Sequence, residues 1–144
     1  MQYSSRFTIA IHILLCIDQF SEEQKVTSTF LAGSIGVNPV IVRNVLLRLQ
    51  DAKLIITAAG VGGSKLAKDP ADITMLDIFK AVEDSNEILF HFHENPNPEC
   101  QVGRTIHAVL DDKLMLIQKA MESSMNSVTL QSIIEDMKKK QREY

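Results

Sequence analysis

A cationic stretch in the first half of the chain, residues 37–49, carries side chains that could read double-stranded DNA. Arg43 can donate a pair of hydrogen bonds to guanine, and Asn44 can bond adenine in the same two-point manner, both in the major groove. Such contacts need a rigid element that enters the groove, and an α-helix fits it. We therefore predict that this stretch forms a DNA-reading helix.

The residue order in this stretch favours a helix with separate apolar and polar faces. Asn38 can cap free backbone N–H groups, and Pro39 suits the first helical position because no N–H is needed there. On a 3.6-residue period the apolar stripe comprises Ile41, Val42, Val45, Leu46 and Leu49. The other face carries Val40, Arg43, Asn44, Leu47 and Arg48. Support for base reading at the DNA backbone or groove wall is predicted at Asn38, Val40, Ser34 and Arg48.

The neighbouring segments complete the pattern of a winged helix-turn-helix. Thr27 or Ser28 can cap a short helix that ends before Gly36. Residues 54–57 and 64–67 can pair as a hairpin, the wing, across a glycine-rich turn. The GVGGSK run lacks phosphate-loop spacing and no helix follows it, so glycines that approach the DNA backbone are favoured over nucleotide binding. Further DNA contacts are predicted at Ser28, Thr29, Pro39, Gly62 and Lys65.

Composition and charge limit the possible classes of protein. With 144 residues and 45% apolar content, the chain can bury one compact core with an appended element. Of the net charge of −3, residues 1–68 contribute +3 and the remaining residues contribute −6. Only the first half is therefore expected to approach a polyanion such as DNA, although chance clustering explains the charges equally well. The longest apolar run, residues 7–17, is shorter than a membrane span of about 20 residues. We expect a cytoplasmic protein with no membrane partner, and the distant Cys16 and Cys100 agree with a reducing compartment.

Other helices are predicted on both sides of this region. Residues 5–19 are apolar on nearly all sides and should lie at the centre of the core, with His12 and Cys16 as core residues rather than metal ligands. Thr74 can cap a later helix with Asp77 in the capping-box position.

A long helix is predicted from about Val102 to Met125. At 1.5 Å per residue it would span about 36 Å, more than a domain of this size buries, so a partner chain is its natural cover. The residues predicted to face that partner are Ile106, Val109, Leu110, Leu114, Ile117 and Met121. Thr129 then caps a last helix with a basic, solvated end. The chain thus divides into residues 1–84, a winged helix-turn-helix domain; 85–101, a sensor-type loop; and 102–144, a dimerisation helix and a C-terminal helix.

The chain resembles the Rrf2 family of winged-helix transcription factors over nearly its whole length. The matching segments are YSSRFTIA (3–10), residues 37–54, GVGGSKLA (60–67), ITMLDI (73–78), CQVG (100–103) and VTL (128–130). The likeness is greatest to small members without the cysteines of the cluster-binding regulators. It implies a mainly α protein with a small β-hairpin wing, and a cytoplasmic homodimer paired through the long helix. It further implies a regulator, chiefly a repressor, whose two reading helices enter successive major grooves of a near-palindromic operator.

Two departures from the family pattern bear on DNA binding. Many members have an arginine before the first wing glycine and an aromatic residue after the glycine pair, whereas this chain has Ala59 and Ser64. Phosphate contacts are then left to Lys65 and Lys68. Lys53 occupies a position where many members have a glycine that ends the reading helix. A left-handed backbone there would cost a lysine on the order of 1 kcal/mol.

The loop before the long helix is the candidate sensing region. Cluster-binding members carry three cysteines there, whereas this chain has Cys100 alone, so we expect no iron–sulfur cluster and no other cofactor. Cys100 stands just ahead of a helix start, where a thiolate is stabilised, and could act as a redox switch. Alternatively, His91, His93, Cys100 and His107 could bind zinc or iron, although their spacing matches no strong metal motif. A further alternative is that Cys100 is an ordinary loop residue in a regulator that senses something else or nothing.

Other functional classes stay open at this stage. The same fold could bind a protein instead of DNA, as a dimeric interaction module. An enzyme is not expected, because the chain has no Ser-His-Asp order, carboxylate pair or cofactor fingerprint. DNA binding would weaken steeply with salt, and that dependence separates the first two classes.

Overall fold

The computed structural model describes residues 5–57, 62–84 and 89–144, which form mainly helices and one two-stranded sheet. In chain order the elements are α1 (Arg6–Phe20), α2 (Ser28–Ile35), α3 (Pro39–Asp51), β1 (Ile55–Thr57), β2 (Ser64–Leu66), a 3-10 turn (Pro70–Asp72), α4 (Met75–Val82), α5 (Gln101–Asn126) and α6 (Leu130–Gln141). The predicted fold class, a mainly α protein with a small β-hairpin wing, is confirmed.

α1 lies at the centre of the molecule, as its apolar sequence predicts. Its buried residues are Ile9, Ala10, Ile13, Leu14, Cys16 and Ile17. α2, α3, α4, α6 and β2 all contact α1, so a single helix organises the core. His12 Nε2 lies 2.9 Å from Ser34 Oγ on α2, which gives this histidine a structural role.

Side-chain caps and one glycine fix the turn between α2 and α3. Thr27 Oγ1 accepts a backbone N–H of the first turn of α2 at 3.2 Å. Gly36 ends α2 in the left-handed conformation, with φ of 82°. Asn38 Oδ1 then accepts the Val40 N–H at 2.8 Å, and Pro39 fills the first position of α3. Between α2 and α3 the helix direction bends by 113°.

α3 buries a narrower stripe than the sequence predicts. Val42, Val45 and Leu49 are buried, and Leu46 packs against the core while partly exposed. Ile41, which the prediction placed in this stripe, is 42% exposed. One helical step of about 100° from Val42 carries Ile41 to the edge of the apolar face, where its side chain is partly open to solvent.

The wing is a short hairpin whose inner residues join the core. β1 and β2 pair antiparallel, with Ile55 opposite Leu66 and Thr57 opposite Ser64. Ile55 is buried, whereas the next residue, Ile56, is exposed. This alternation is the one that a strand with one covered face requires.

The glycine-rich turn of the wing is described in part. Gly62 and Gly63 have φ values of 71° and 87°, a conformation that glycine adopts without a steric penalty. The remaining turn residues, 58–61, lie outside the described residues, and Ala59 is among them. Residues 1–4 of the N-terminal motif and residues 85–88 of the predicted sensor-type loop also lie outside.

α4 begins with the capping box that the sequence predicts. Thr74 Oγ1 accepts the Asp77 N–H at 3.1 Å, and Asp77 Oδ2 accepts the Thr74 N–H at 3.0 Å. Two backbone donors at the helix start are therefore satisfied by side chains.

Two arginines hold the other end of α4. Arg48 of α3 donates through Nη1 to the Val82 carbonyl at 3.1 Å and lies 3.6 Å from Asp84 Oδ1. Arg6 of α1 donates through Nη2 to Glu83 Oε2 at 3.2 Å, and the Glu83 side chain is only 2% exposed. The end of α4 is thus tied to both α1 and α3.

α6 packs on the winged-helix core, which differs from the predicted division of the chain. Leu130 and Ile134 are buried in the same core as α1. The Leu130 N–H donates to the Ile73 carbonyl at 2.8 Å, and the Met75 N–H donates to the Val128 carbonyl at 2.9 Å. The unit predicted at residues 102–144 therefore splits, with α6 belonging structurally to the region before the loop. Periodicity identifies α6 as a helix, but it does not reveal this distant packing partner.

α5 extends over 26 residues, none of which is buried. Met125, near its end, packs against the core while partly exposed. In the described ranges no single helix is long and apolar enough to cross a membrane, and α2 with α3 meets that test of length and composition only as a bent pair.

Lys53 provides a test of backbone strain at the end of α3. Its φ of 61° is the left-handed value anticipated from the sequence. We expect Lys53→Gly to raise the free energy of unfolding in a urea titration by about 1 kcal/mol, because glycine avoids the steric cost of a Cβ atom there. Ala52→Gly is the matched control. Ala52 has φ of −79°, so this change should lower stability. If the Lys53→Gly variant is no more stable than the parent, the left-handed backbone at position 53 does not destabilise the protein.

Candidate nucleic-acid interface

The outward face of α3 combines polar and apolar side chains beside the wing. Arg43 and Asn44 are both exposed, as a base-reading role requires. Val40 and Leu47 are also exposed, at 51% and 59%, and stand two helical turns apart. On a 3.6-residue period Arg43 falls on one side of the line from Val40 to Leu47, and Asn44 falls on the other. The face therefore has an apolar centre line with a polar residue on each flank.

A groove of about 370 Å³ separates α3 from the start of α2 and from the wing. Its lining residues are Val26, Thr27, Ser28, Arg43, Leu46, Leu47, Gln50, Thr57, Gly62, Gly63 and Ser64. The Thr57 hydroxyl donates to Gln50 Oε1 at 3.2 Å, which ties the wing to α3. Three predicted contact residues from different segments, Ser28, Arg43 and Gly62, therefore line one concave surface.

Other predicted contact residues lie around this groove. Thr29 is exposed in the first turn of α2, and Asn38 is exposed although its Oδ1 atom serves as the α3 cap. Pro39 is partly buried. Lys65 is exposed on β2, where it lines an adjoining recess together with Glu22 and other residues of the α1–α2 turn. This recess and the groove that contains Arg43 share Gly62 and Gly63 as lining residues.

Ser34 and Arg48 are engaged in contacts that the sequence prediction did not foresee. The Ser34 hydroxyl bonds His12 and lies 3.5 Å from Cys16 Sγ, in a recess towards α6 and away from the groove. Arg48 is held by the Val82 carbonyl and Asp84, as described above. Both side chains also stabilise the packing of α2 or α3 against its neighbours, a role that the sequence did not indicate, and their support of DNA binding stays a prediction. Their partners are far away in the chain, so a local pattern could not identify them.

Sequence reasoning also left out residues that the structure places at this surface. Gln50 and Thr57 line the groove as a hydrogen-bonded pair, and Leu47 lines it from the centre of the α3 face. For Leu47 a signal was present, since it is seven residues after Val40 on the polar side of the periodic pattern. For Thr57 it was absent, because its position depends on the hairpin register.

Cys100 stands at the start of α5, exposed to solvent. The backbone N–H groups of Gly103 and Val102 lower the pKa of its thiol below the ordinary value, because they stabilise the thiolate. The Cys100 N–H donates to the Asn97 carbonyl at 3.2 Å, and that carbonyl lies against Gly103, where a Cβ atom would collide. Glycine at 103 thus lets the loop fold closely over the helix start.

The predicted metal ligands are arranged differently from a metal site. In residues 5–57, 62–84 and 89–144, no three His, Cys, Asp or Glu side chains are grouped so that they could hold an ion. Instead the Phe92 ring stacks against both imidazoles, with its centroid 4.8 Å from that of His93 and 3.7 Å from that of His107. His107 Nδ1 lies 3.2 Å from Asp111 Oδ1. The rings therefore fasten the loop to α5.

The faces of α5 differ in how far the rest of the chain covers them. Leu114 lines a recess with Phe90 and Phe92 of the loop and is half-buried, as are Ile106, Leu110 and Met121. The large apolar side chains left exposed on α5 are Val102, Val109, Met115, Leu116 and Ile117. Val102, Val109 and Leu116 recur every seven residues and form one uncovered stripe. This stripe shares Val109 with the residues predicted to face a partner, whereas Leu114 of that predicted set is partly covered by the loop.

Comparisons with known proteins agree with this architecture. A family model described as Rrf2, iron-dependent transcriptional regulator, matches residues 3–136. YwnA of Bacillus subtilis (strain 168), named as a candidate HTH-type transcriptional regulator, is 42% identical over 131 residues, which cover 91% of this chain and 96% of YwnA.

Two solved structures illustrate the likeness in fold. A crystal structure described as a candidate DNA-binding protein superposes with a TM-score of 0.72 at 36% identity, covering 90% of this chain and 99% of that one. IscR of T. potens has a TM-score of 0.70 at 22% identity, with coverage of 95% and 88%, and supports the fold alone. From the family match and the identity to YwnA, the chain belongs to the Rrf2 family of transcriptional regulators.

Proposed function

We propose that this chain is a sequence-specific DNA-binding transcriptional regulator in which α3 enters the major groove. The observation that carries the proposal is the outward face of α3, where Arg43 and Asn44 are exposed beside a groove shared with α2 and the wing. These two side chains are the types that bond guanine and adenine edges. Relatives named as candidate HTH-type regulators, and a similar structure described as a candidate DNA-binding protein, support it.

The working form in this proposal is a homodimer paired through α5. Most of the stability of a helix in a protein comes from packing of its apolar face, and α5 has no buried residue although it carries exposed Val109 and Leu116. A second copy that packs on this stripe would cover it. Two reading helices related by a two-fold axis suit a near-palindromic operator with half-sites about 34 Å apart. A dimer bound there would repress by blocking polymerase, and such a protein acts in the cytoplasm.

A protein-interaction role is the second candidate, and one observation favours it. Val40, Leu47 and Ile56 are large apolar side chains exposed close to the groove, and exposed apolar patches often bind proteins. Salt separates the two roles, because DNA binding should weaken with a log–log slope near −0.9 per neutralised phosphate. The proposal includes neither catalysis nor a cluster cofactor, since thiolates hold such clusters and Cys100 is the loop's one cysteine.

We include Cys100 as a redox switch in the proposal. The pKa of its thiol is lowered by the backbone N–H groups of Gly103 and Val102, and the thiol is exposed; both properties favour oxidation. Its backbone is bonded to Asn97, so a change at sulfur would act where the loop joins α5. His93 and His107 stack on Phe92, which makes zinc or iron binding the less favoured use of this loop.

Arg43→Ala tests base reading by α3. We expect the free energy of binding to a selected duplex to fall by about 1–3 kcal/mol and specificity to relax at one position of each half-site. Random-oligonucleotide selection followed by titration measures both. Arg104→Ala removes the same charge from an exposed site on α5 and should leave specificity intact. An equal loss on all sequences would assign Arg43 to a phosphate instead.

Leu116→Glu tests the α5 interface. Leu116 is 70% exposed in the single chain, so the variant should fold. Sedimentation at micromolar concentration should nevertheless find monomers, because a carboxylate in an apolar seam is costly to bury. Ala108→Glu introduces the same charge on a different face of α5 and should remain dimeric. A dimeric Leu116→Glu protein would move the interface away from this stripe.

The thiol of Cys100 should titrate below an ordinary cysteine. Backbone N–H groups lower its pKa, so the thiolate should persist at pH values where an unperturbed thiol has become protonated. The pH dependence of alkylation of a Cys16→Ser variant, which retains Cys100 alone, measures the shift. The same variant in denaturant provides the reference. If both midpoints coincide, the helix start does not activate this thiol.

A DNA-binding titration of the parent protein and of Cys100→Ser, in the same buffers, tests the redox switch itself. Peroxide should weaken DNA binding of the parent protein and leave the serine variant unaffected, while the reduced proteins bind equally. An unchanged oxidant response in Cys100→Ser would remove this residue from the switch.

A further inference from the structure

The apolar centre line of α3, Val40 and Leu47, is not explained by packing within the chain. Both side chains are more than half exposed, at 51% and 59%. They point away from the core, since Val42, Val45 and Leu49 occupy the buried side of the same helix. Base reading by Arg43 and Asn44 gives Leu47 no role, and it leaves Val40 only the general supporting contact with the groove wall that the sequence predicts.

The charges around this line favour a nucleic acid over a protein as its occupant. Arg43 flanks it on one side and Asn44 on the other, while Gln50 completes the groove wall. Asp51 is the one acidic residue in α3, and it stands at the last position of the helix. A cationic and amide-bearing rim around an apolar line is complementary to the major groove, whose edge carries polar atoms and the thymine methyl group.

We infer that Val40 and Leu47 each contact the C5-methyl group of a thymine, and that they specify thymine in each half-site. The inference rests on the proposed function. Seven helical residues span about 10.5 Å, and base pairs are stacked about 3.4 Å apart, so the two thymines should stand about three base pairs apart. Arg43 and Asn44 would read the polar edges between them.

The test replaces single thymines by uracil in a duplex selected with the parent protein. This change removes the methyl group and preserves every hydrogen-bonding atom of the base. At two positions in each half-site, binding of the parent should weaken about fourfold, the factor that corresponds to ~0.8 kcal/mol for one buried methyl group. Uracil at the other positions should have little effect.

Protein variants assign each thymine to one side chain. Leu47→Ala should bind the thymine and uracil duplexes equally at one of the two positions, and Val40→Ala should do so at the other. Both residues are exposed, so their truncation leaves the core intact. Ile41→Ala shortens an exposed apolar residue at the edge of the same helix and should retain both uracil penalties.

Each outcome decides a different statement. If the parent binds selected duplexes and no thymine is sensitive to uracil, the inference is wrong while the proposed function stands. Penalties that survive in Leu47→Ala and Val40→Ala also overturn it. If the parent prefers no duplex at any salt concentration, the proposed function itself fails, and the apolar line becomes a protein-binding surface.

Discussion

The position of α3 against α1 is the constraint on which the rest of this structure depends. α1 buries Ile13, Leu14 and Ile17, and it contacts the helices on either side of the turn as well as the wing. Because Val42, Val45 and Leu49 are fixed in the same core, the opposite side of α3 is held outward. The exposure of Arg43 and Asn44 is therefore a consequence of apolar packing on the far side of their helix.

A polar arrangement reinforces that packing. Glu83 is a buried carboxylate, and burying a charge is costly unless a partner compensates it. Arg6 supplies that compensation from α1, while Arg48 reaches the adjacent Val82 carbonyl from α3. The last turn of α4 thus holds α1 and α3 in one relative orientation. Residues 85–88 follow directly in the chain, so this junction connects the reading helix with the loop ahead of α5.

Local chemistry explains which features the sequence could predict. Thr27, Gly36 and Asn38 act on backbone groups within a few residues of themselves. The helix starts and the α2–α3 turn can therefore be predicted from the sequence. Contacts between residues distant in the chain determine the features that the sequence did not predict, namely the partner of Arg48 and the packing of α6. Arg48 has the side chain of a DNA-binding residue, yet a carbonyl 34 positions away binds it. α6 has the periodicity of an appended helix, yet Leu130 fills the core. The sequence therefore predicted which side of α3 is exposed, but not the intramolecular contacts of side chains whose partners are distant in the chain.

The absence of buried residues on α5 has a consequence for how DNA binding would depend on the concentration of the protein. α5 has 26 residues and no fully buried position, so its apolar face is only partly covered by its own chain. In the proposed dimer its order and the assembly of two subunits form one equilibrium, which follows mass action. The amount of protein in a cell then sets both the number of chains and the fraction of them that is paired as DNA-binding dimers. Occupancy would rise more steeply than linearly with synthesis, giving a threshold response without a ligand.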